Sequence, residues 1–349
     1  MSELKDLLLY VKEKNYKNTI PKREKRDKLT KYVIEYLKNT KRKIYGGTAI
    51  NKFVKIYDDF EEPDYDVYTP EPKRDAIKLS HFLFNKDIKD VSVSRGVTEG
   101  TYKVFAFNLE AVDFSYMPKK MYDVIPFKIF DNLYYTDPEY LKIDLLLAIA
   151  NPQKSIYLWE KILPRYIKLN NKFKNINPNK QIRTSNNNDA INLISKIIIN
   201  NKDIILTGLY AYRILVSNTN VKNVFIPEIN YLELLTQNPI TVIKQIIDIY
   251  GIKNITIKYY NKFLKIIPSK YVVYYNDKRL VNIYHLEDKC FPFIMLDNIL
   301  ISSFDYLQLY FFAMKYQGII IKNDNLKILS EIIIYNLDYC RNQYLKKQN

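Results

Sequence analysis

Residues 43–69 read KIYGGTAINKFVKIYDDFEEPDYDVYT, and this stretch decides the predicted fold. A short apolar strand at 43–45 leads into a Gly-Gly pair, and residues 48–57 are predicted to form a helix. Residues 63–69 alternate polar and apolar side chains, which is typical of a half-buried strand. The order of strand, glycine turn, helix and strand predicts a mixed α/β unit with a turn that can approach a phosphate.

Three aspartates on the predicted strands could converge on one site. Asp64 and Asp66 are two residues apart, so both carboxylates of a strand would point to the same face. Asp113 lies in the alternating segment 109–114, which is predicted to be a neighbouring strand. Converging carboxylates can hold the two Mg²⁺ ions, about 3.5–4 Å apart, that assist phosphoryl and nucleotidyl transfer. We therefore expect Asp64, Asp66 and Asp113 to be the catalytic residues and the metal ligands.

The Gly-Gly pair is the predicted binding site for a nucleoside triphosphate. Gly46 and Gly47 lack side chains and let the backbone approach phosphates, and Thr48 adds a hydroxyl at the start of the helix. Either a Gly-Gly pair or an Asp-x-Asp sequence alone is more often a plain turn or a solvated strand edge. Their combination in this order favours a catalytic site.

Three basic residues could also contact phosphates. Lys154 follows the apolar helix predicted at 140–150, which begins at the capping sequence Thr136-Asp137-Pro138-Glu139, and it is the expected triphosphate contact. Arg95 and Lys103 flank a hairpin that contains two glycines. Lys154 could equally be a solvated surface residue in a chain with 54 basic residues, and fewer observations support Arg95 and Lys103.

Composition limits the classes of protein that fit. The 349 residues are 47% hydrophobic and carry a formal net charge of +16, which indicates a globular protein with a polyanionic partner. A composition rich in Lys, Asn and Ile could also produce this charge without selection for binding. The two cysteines and two histidines are too few and too scattered for a disulfide framework or a zinc cage. No signal peptide or membrane span is predicted, so a cytoplasmic location is expected.

An internal repeat divides the chain. Residues 44–49 align with 206–211, Pro63 to Asp66 with Pro227 to Asn230, and Asp113 with Asn282. A second set of positions recurs at one constant separation: Phe127, Asp131, Asn132, Tyr140 and Leu141 match Phe293, Asp297, Asn298, Tyr306 and Leu307. We predict an N-terminal helical segment at 1–43, a catalytic domain at 44–185 and a degenerate copy at 186–349, which has lost two of three metal ligands.

The motifs Gly46-Gly47-Thr48-Ala49, Asp64-Tyr65-Asp66 and Asp113 resemble the polymerase-beta nucleotidyltransferase superfamily. The extended form that includes Asn51, the segment at 127–134 and the duplicated second half resemble the poly(A) polymerase catalytic subunits of poxviruses and giant viruses. This resemblance implies a mixed sheet flanked by helices, an α/β (α+β) fold with two tandem nucleotidyltransferase-like domains. It also implies ATP and a single-stranded RNA 3′ end as substrates, two Mg²⁺ or Mn²⁺ ions, and nucleotide binding by Asn51.

The resemblance therefore implies a template-independent enzyme that adds AMP from ATP to RNA 3′ ends. A transferase acting on a tRNA, a protein or a small molecule remains an alternative, as does a noncatalytic RNA-binding subunit. The degenerate copy would bind RNA or a partner, with a homodimer as one possibility. A viral origin would place the protein in a viral factory or virion.

Overall fold

The computed structural model describes residues 23–56, 64–151, 155–180, 182, 186–199, 201–219, 221, 224–263, 266–287 and 291–348, with side chains up to 341. The chain forms two compact units, Met1–Leu141 and Lys142–Asn349. The predicted domain limits at 43 and 185 remain predictions, because compactness alone does not define where a folding domain begins. No helix among the described residues is long and apolar enough to cross a membrane.

The first unit is a seven-stranded mixed sheet with helices. Residues 23–40 form helix α1, in agreement with the helical character predicted for the N-terminal segment. The elements that follow are β1 (Lys43–Tyr45), α2 (Gly46–Phe53), β2 (Tyr65–Thr69), α3 (Pro72–Asn85), β3 (Val91–Arg95), β4 (Thr101–Ala106), β5 (Leu109–Tyr116), α4 (Lys119–Val124), β6 (Phe127–Phe130) and β7 (Leu133–Thr136). Helix α5 (Pro138–Ile149) begins in the first unit and ends in the second. The sheet order is β3-β4-β5-β2-β1-β7-β6.

One face of this sheet is apolar and covered by helix α3. The side chains of Val67, Val104, Val112 and Phe114 point to this face and are fully buried, as strand alternation requires. Helix α3 also buries Asp75, which accepts hydrogen bonds from the Arg42 guanidinium. A buried carboxylate is stable only when paired in this way. The opposite face of β2, β4 and β5 is therefore left for polar side chains.

Helix α5 begins close to the predicted position, but its cap differs from the prediction. The capping sequence assigned the cap to Thr136, whereas the backbone N–H of Glu139 donates to Asp137 Oδ1 at 2.9 Å. Thr136 is the last residue of β7 and is buried. The cap is therefore Asp137, because the strand continues one residue further than the capping pattern assumed.

The second unit contains a second seven-stranded sheet. Its elements are α6 (Trp159–Lys172), α7 (Asn188–Leu193), β8 (Ile205–Thr207), α8 (Gly208–Ser217), β9 (Leu232–Thr236), α9 (Pro239–Tyr250), β10 (Ile255–Tyr260), β11 (Lys270–Tyr275), β12 (Lys278–His285), β13 (Phe293–Leu296), β14 (Ile299–Ser302), α10 (Phe304–Ile320) and α11 (Asp324–Gln348). The sheet order is β10-β11-β12-β9-β8-β14-β13, which repeats the order of the first sheet strand by strand.

The duplication predicted from the sequence is therefore present in the fold. The hairpin turns at Asp131-Asn132 and Asp297-Asn298 both have positive φ angles and join equivalent strands. Left-handed backbone favours Asn and Asp over other non-glycine residues, which explains why these pairs survive in both copies. The repeat thus preserves turn residues as well as core residues.

One part of the predicted alignment is wrong. Asp66 pairs with Tyr45 across β1 and β2, and Glu233 pairs with Thr207 across β8 and β9, so Glu233 is the counterpart of Asp66. The sequence alignment had assigned Asn230 to this position. The error arose because the segment between Gly208 and β9 is longer than the segment between Gly46 and β2.

Candidate active site

Asp66 and Asp113 lie directly opposite each other on neighbouring parallel strands. Asp66 is the second residue of β2 and is in register with Asp113 on β5. Residues that pair across parallel strands point to the same face of the sheet, and this is the face opposite Val67 and Phe114. Two separate segments of the chain are therefore brought to one side of the sheet, as the strand alternation predicted.

Asp64 lies just before β2, where helix α2 holds its backbone. The Thr48 hydroxyl donates a hydrogen bond to the Asp64 carbonyl oxygen at 2.9 Å. This bond links the first turn of α2 to the residue that enters β2. Thr48 therefore helps to position Asp64, while its predicted contact with a triphosphate remains a prediction.

A β-bulge brings Glu110 to the same face as Asp113. Asp113 is the third residue after Glu110, and a regular strand would place the two on opposite faces. Ala111 has no partner on β4, because the register shifts between Val104 and Phe105. This extra residue reverses the alternation and turns Glu110 toward the aspartates. Glu110 is not among the predicted site residues, since no local signal distinguishes this bulge from a regular strand.

Asp64, Glu110 and Asp113 form one carboxylate cluster. One oxygen from each lies within 4.8 Å of the other two. Asp66 is outside this group of three, although it lies opposite Asp113 on the adjacent strand. The structure therefore brings together two of the three predicted aspartates and adds a glutamate.

Lys103 on β4 is the cation of this cluster. Its ammonium lies 2.6 Å from Asp113 Oδ2 and also pairs with Glu110. Burial raises the pKa of Asp113 to about 8, and the neighbouring Glu110 adds to this effect while Lys103 opposes it. Burial also acts on Glu110, but hydrogen bonds from Asp113 and Lys103 outweigh it and lower the pKa of Glu110. One lysine thus does not fully neutralise the carboxylates.

The cluster fits a divalent cation. Asp113 Oδ1 is buried and accepts no hydrogen bond from any residue that the structure describes. A buried carboxylate oxygen without a donor is costly unless a cation or water occupies the adjacent space. Clustered carboxylate oxygens are also the ligands that Mg²⁺ prefers. Asp64, Glu110 and Asp113 could therefore hold an ion.

The predicted nucleotide-binding residues lie in α2, except for Lys154. Gly46 begins the helix with a φ of +68°, a backbone conformation that side chains disfavour. Gly47 is buried in the first turn. Asn51 accepts a hydrogen bond from the Ile56 backbone N–H at 2.8 Å and so helps to end the helix. Lys154 lies outside the described residues. Arg95 pairs with Tyr102, which places it on the face opposite Lys103.

The second unit has different side chains at the equivalent positions. The strand registers match Asp113 with Asn282 and Lys103 with Val272. The bulge recurs at Leu280, so Arg279 stands where Glu110 stands in the first unit. Tyr231, two residues before Glu233, corresponds to Asp64. One of the three predicted ligand positions therefore keeps a carboxylate, but the residue is Glu233 and not Glu228.

Glu233 is buried and surrounded by hydrogen-bond donors. Its Oε1 accepts from Asn282 at 3.3 Å, from the Tyr284 hydroxyl at 3.2 Å and from the Tyr310 hydroxyl, and its Oε2 accepts from the Leu209 backbone N–H. Burial, followed by the charge of Glu233, raises the pKa of both tyrosines. This carboxylate is satisfied by protein donors, which makes its role in the second unit structural.

The carboxylate cluster lies in a segment that is similar to known proteins. The family model described as "Poly(A) polymerase catalytic subunit" matches residues 31–155, which include the whole carboxylate cluster. Residues 31–155 therefore match the poly(A) polymerase catalytic subunit family. The resemblance predicted from the glycine and aspartate motifs is confirmed.

Viral relatives carry this poly(A) polymerase name. A proposed poly(A) polymerase catalytic subunit of Acanthamoeba polyphaga mimivirus is 24% identical over 361 residues, which cover 89% of this chain and 62% of that protein. The corresponding African swine fever virus protein (isolate Pig/Kenya/KEN-50/1950) is 34% identical over 125 residues, 34% of this chain and 26% of that protein. The chain thus spans less than two thirds of the length of these poly(A) polymerase relatives.

A solved structure shares the fold. The crystal structure of the Megavirus polyadenylate synthase superposes with a TM-score of 0.84 at 23% identity, over all of this chain and 76% of that chain. Its agreement over the whole chain confirms the predicted α/β fold with two tandem domains. At this level of identity the likeness concerns the fold.

Proposed function

We propose that this chain is a template-independent poly(A) polymerase that adds AMP from ATP to the 3′ end of single-stranded RNA. The carboxylate cluster of Asp64, Glu110 and Asp113, beside Asp66 and within the segment that matches the poly(A) polymerase family, is the observation that carries the proposal. The names of the viral relatives and a net charge of +16, which suits a polyanionic substrate, support it.

Each acidic residue has a proposed role. Asp64, Asp66 and Asp113, joined by Glu110, would hold two Mg²⁺ or Mn²⁺ ions. When bound, such ions neutralise the triphosphate and favour ionisation of the RNA 3′-hydroxyl. Lys103 keeps Asp113 and Glu110 close together by pairing with both. The Thr48 hydroxyl fixes the backbone of Asp64.

The proposed reaction forms a phosphodiester bond and breaks a phosphoanhydride bond. The RNA 3′ oxygen forms a bond to the α-phosphorus of ATP, and the bond from this phosphorus to the oxygen that bridges to the β-phosphorus breaks. The 3′-hydroxyl proton passes to solvent, and pyrophosphate leaves with the electron pair of the broken bond. Gly46, Gly47 and the N-terminus of α2 would face the triphosphate, with Asn51 and Lys154 as further proposed contacts.

A primer-extension assay tests this proposal. The protein is incubated with a labelled single-stranded RNA, Mg²⁺ or Mn²⁺ and each nucleoside triphosphate in turn. A ladder with ATP alone is the expected result, and Asp113→Asn should remove it. Extension with other nucleotides, or transfer to a tRNA, a protein or a small molecule, would assign a different acceptor or substrate. Binding of RNA without any transfer would favour the alternative of a noncatalytic RNA-binding subunit.

The comparisons give no support to a homodimer, and a cytoplasmic location remains a prediction.

A further inference from the structure

The second unit has a cavity at the position of the first unit's carboxylate cluster. Its volume is about 680 Å³, and its lining combines four asparagines with Tyr231, Lys278, Arg279 and one acidic residue, Asp189. Tyr231 and Arg279 are the counterparts of Asp64 and Glu110. We call this the Tyr231–Arg279 pocket. The second unit thus has a concave site lined at two positions that carry carboxylates in the first unit.

The sign of the charge in this pocket is reversed relative to the first unit. Two acids at the equivalent positions have become a tyrosine and an arginine, and Asn282 replaces Asp113. Asp189 is the one acid in the lining, against the two bases Lys278 and Arg279. The remaining acid of the old site, Glu233, is buried and engaged by four donors. The pocket therefore suits an anion, where the first unit suits a cation.

Aromatic rings alternate with cations across this face of the sheet. The guanidinium carbon of Arg279 lies 4.8 Å from the centre of the Tyr231 ring. Tyr274 is in register with Arg279 on the adjacent strand, and Lys258 Nζ lies 5.3 Å from the Tyr274 ring centre. Lys258 and Arg279 are both exposed. Stacking surfaces interleaved with cations are the arrangement that binds unpaired bases together with their phosphates.

The loop that closes the pocket is fixed to the sheet. The Asn187 side-chain amide donates to the Arg279 carbonyl oxygen at 3.1 Å, and Asn186 Oδ1 accepts from the Ile229 backbone N–H at 2.8 Å. Side-chain hydrogen bonds therefore hold the pocket wall next to Arg279 in place.

We propose that the Tyr231–Arg279 pocket is a noncatalytic binding site for single-stranded RNA. Lys278 and Arg279 contact phosphates, and Tyr231, Tyr274 and the Arg279 guanidinium offer stacking surfaces for bases. The identity of the ligand as the RNA acceptor rests on the proposed poly(A) polymerase function. RNA binding itself can be measured without that reaction.

Fluorescence anisotropy of a labelled single-stranded RNA with the full chain, in the absence of ATP and divalent ions, tests the site. Arg279→Glu is expected to weaken binding by about tenfold and to reduce the dependence of log Kd on log salt by about one. Arg279→Lys, which keeps the charge but loses the planar stacking group, should give a smaller loss. Lys278→Glu is a second variant should Arg279→Glu not fold.

Lys244→Glu is the matched control, because Lys244 is exposed on α9 in the same unit and does not line the pocket. Equal effects of Lys278→Glu, Arg279→Glu and Lys244→Glu would overturn the proposal, as would equally tight binding of a duplex of the same sequence. The two proposals fail separately. If RNA binding depends on Arg279 but no AMP is added, the polymerase proposal falls and the site stands. If RNA is extended and Arg279→Glu binds it normally, the site falls and the polymerase stands.

Discussion

The carboxylate of Asp66 fills the space that a side chain at Gly46 would need. An ideal Cβ on Gly46 would lie 1.9 Å from Asp66 Oδ2, and the φ of +68° adds strain for any other residue. Gly46→Ala must therefore displace Asp66. We expect AMP addition to fall by about 100-fold or more, together with a loss of about 1–3 kcal/mol in stability. Primer extension and thermal unfolding measure the two effects.

Gly208→Ala is the matched control for this change. An ideal Cβ on Gly208 would lie 1.7 Å from Glu233 Oε2, and its φ is +66°. The strain and the clash are thus the same, but they occur in the second unit. This variant should lose stability and keep its activity per folded molecule. Equal losses of activity in both variants would show that Gly46 acts through folding alone.

Asp113→Asn gives the first unit an asparagine at the position equivalent to Asn282 in the second unit. The amide suits the fold, since Asp113 is largely buried and burial disfavours its charge. We expect an unchanged or raised melting temperature and a loss of AMP addition of roughly three orders of magnitude or more. Activity within tenfold of the wild type would remove Asp113 from the catalytic residues.

Lys103 pairs with Asp113 and Glu110, so it would compete with a cation that bound to them. Lys103→Met should destabilise the metal-free protein, because the clustered carboxylates lose their neutralising partner. Added Mg²⁺ or Mn²⁺ should then raise the melting temperature of the variant more than that of the wild type. The double variant Lys103→Met/Glu110→Gln has less repulsion between carboxylates than Lys103→Met. Its metal-induced rise in melting temperature should therefore be closer to that of the wild type. A metal-induced shift that is no larger in Lys103→Met contradicts the competition.

Glu233→Gln tests the structural role of the second unit's remaining carboxylate. The substitution weakens hydrogen bonds from Tyr284, Tyr310 and Leu209, so we expect a loss of about 1–3 kcal/mol in unfolding free energy. AMP addition per folded molecule should stay the same. Asp66→Asn, the equivalent change in the first unit, should show the reverse pattern. Denaturant unfolding and primer extension distinguish them.

Lys43 gives a pH dependence of stability that can be measured. Burial lowers the pKa of this β1 lysine from 10.5 to about 8, although its ammonium donates to the Tyr122 and Ile125 carbonyl oxygens. Between these two pKa values the unfolded chain binds more protons than the folded chain, so this group makes stability rise with pH. The rise begins near pH 8 and ends near pH 10.5.

The comparison of wild type with Lys43→Met isolates this effect from the general loss of positive charge at high pH. Urea unfolding at about pH 7 and at about pH 9.5 should show a larger gain in stability for the wild type than for the variant. Equal gains would mean that Lys43 keeps its ordinary pKa in the folded protein.

The sequence was sufficient for the features that depend on local pattern. Strand alternation placed Asp66 and Asp113 on one face, and the glycine that begins α2 was predicted from its neighbours. The Asp131-Asn132 and Asp297-Asn298 turns revealed the duplication, because left-handed backbone restricts the residues that can occupy it.

Features that depend on partner strands could not be predicted. Glu110 joins the cluster through the unpaired Ala111, and a bulge is defined by the strand opposite it. The identity of Glu233 as the counterpart of Asp66 depends on strand register, since one chain compared with itself does not show where a loop has lengthened. The acceptor for Thr48 is likewise a backbone carbonyl 16 residues away.

The same bulge occurs in both units, although the side chains around it differ. Ala111 and Leu280 are the unpaired residues of equivalent strands, yet one bulge presents Glu110 and the other presents Arg279. An ancestor that already had this irregular backbone could acquire a site of opposite charge in one copy by replacing side chains alone. Gene duplication would then have supplied a second copy of this backbone, in which the charge of the site could change sign without a change of fold.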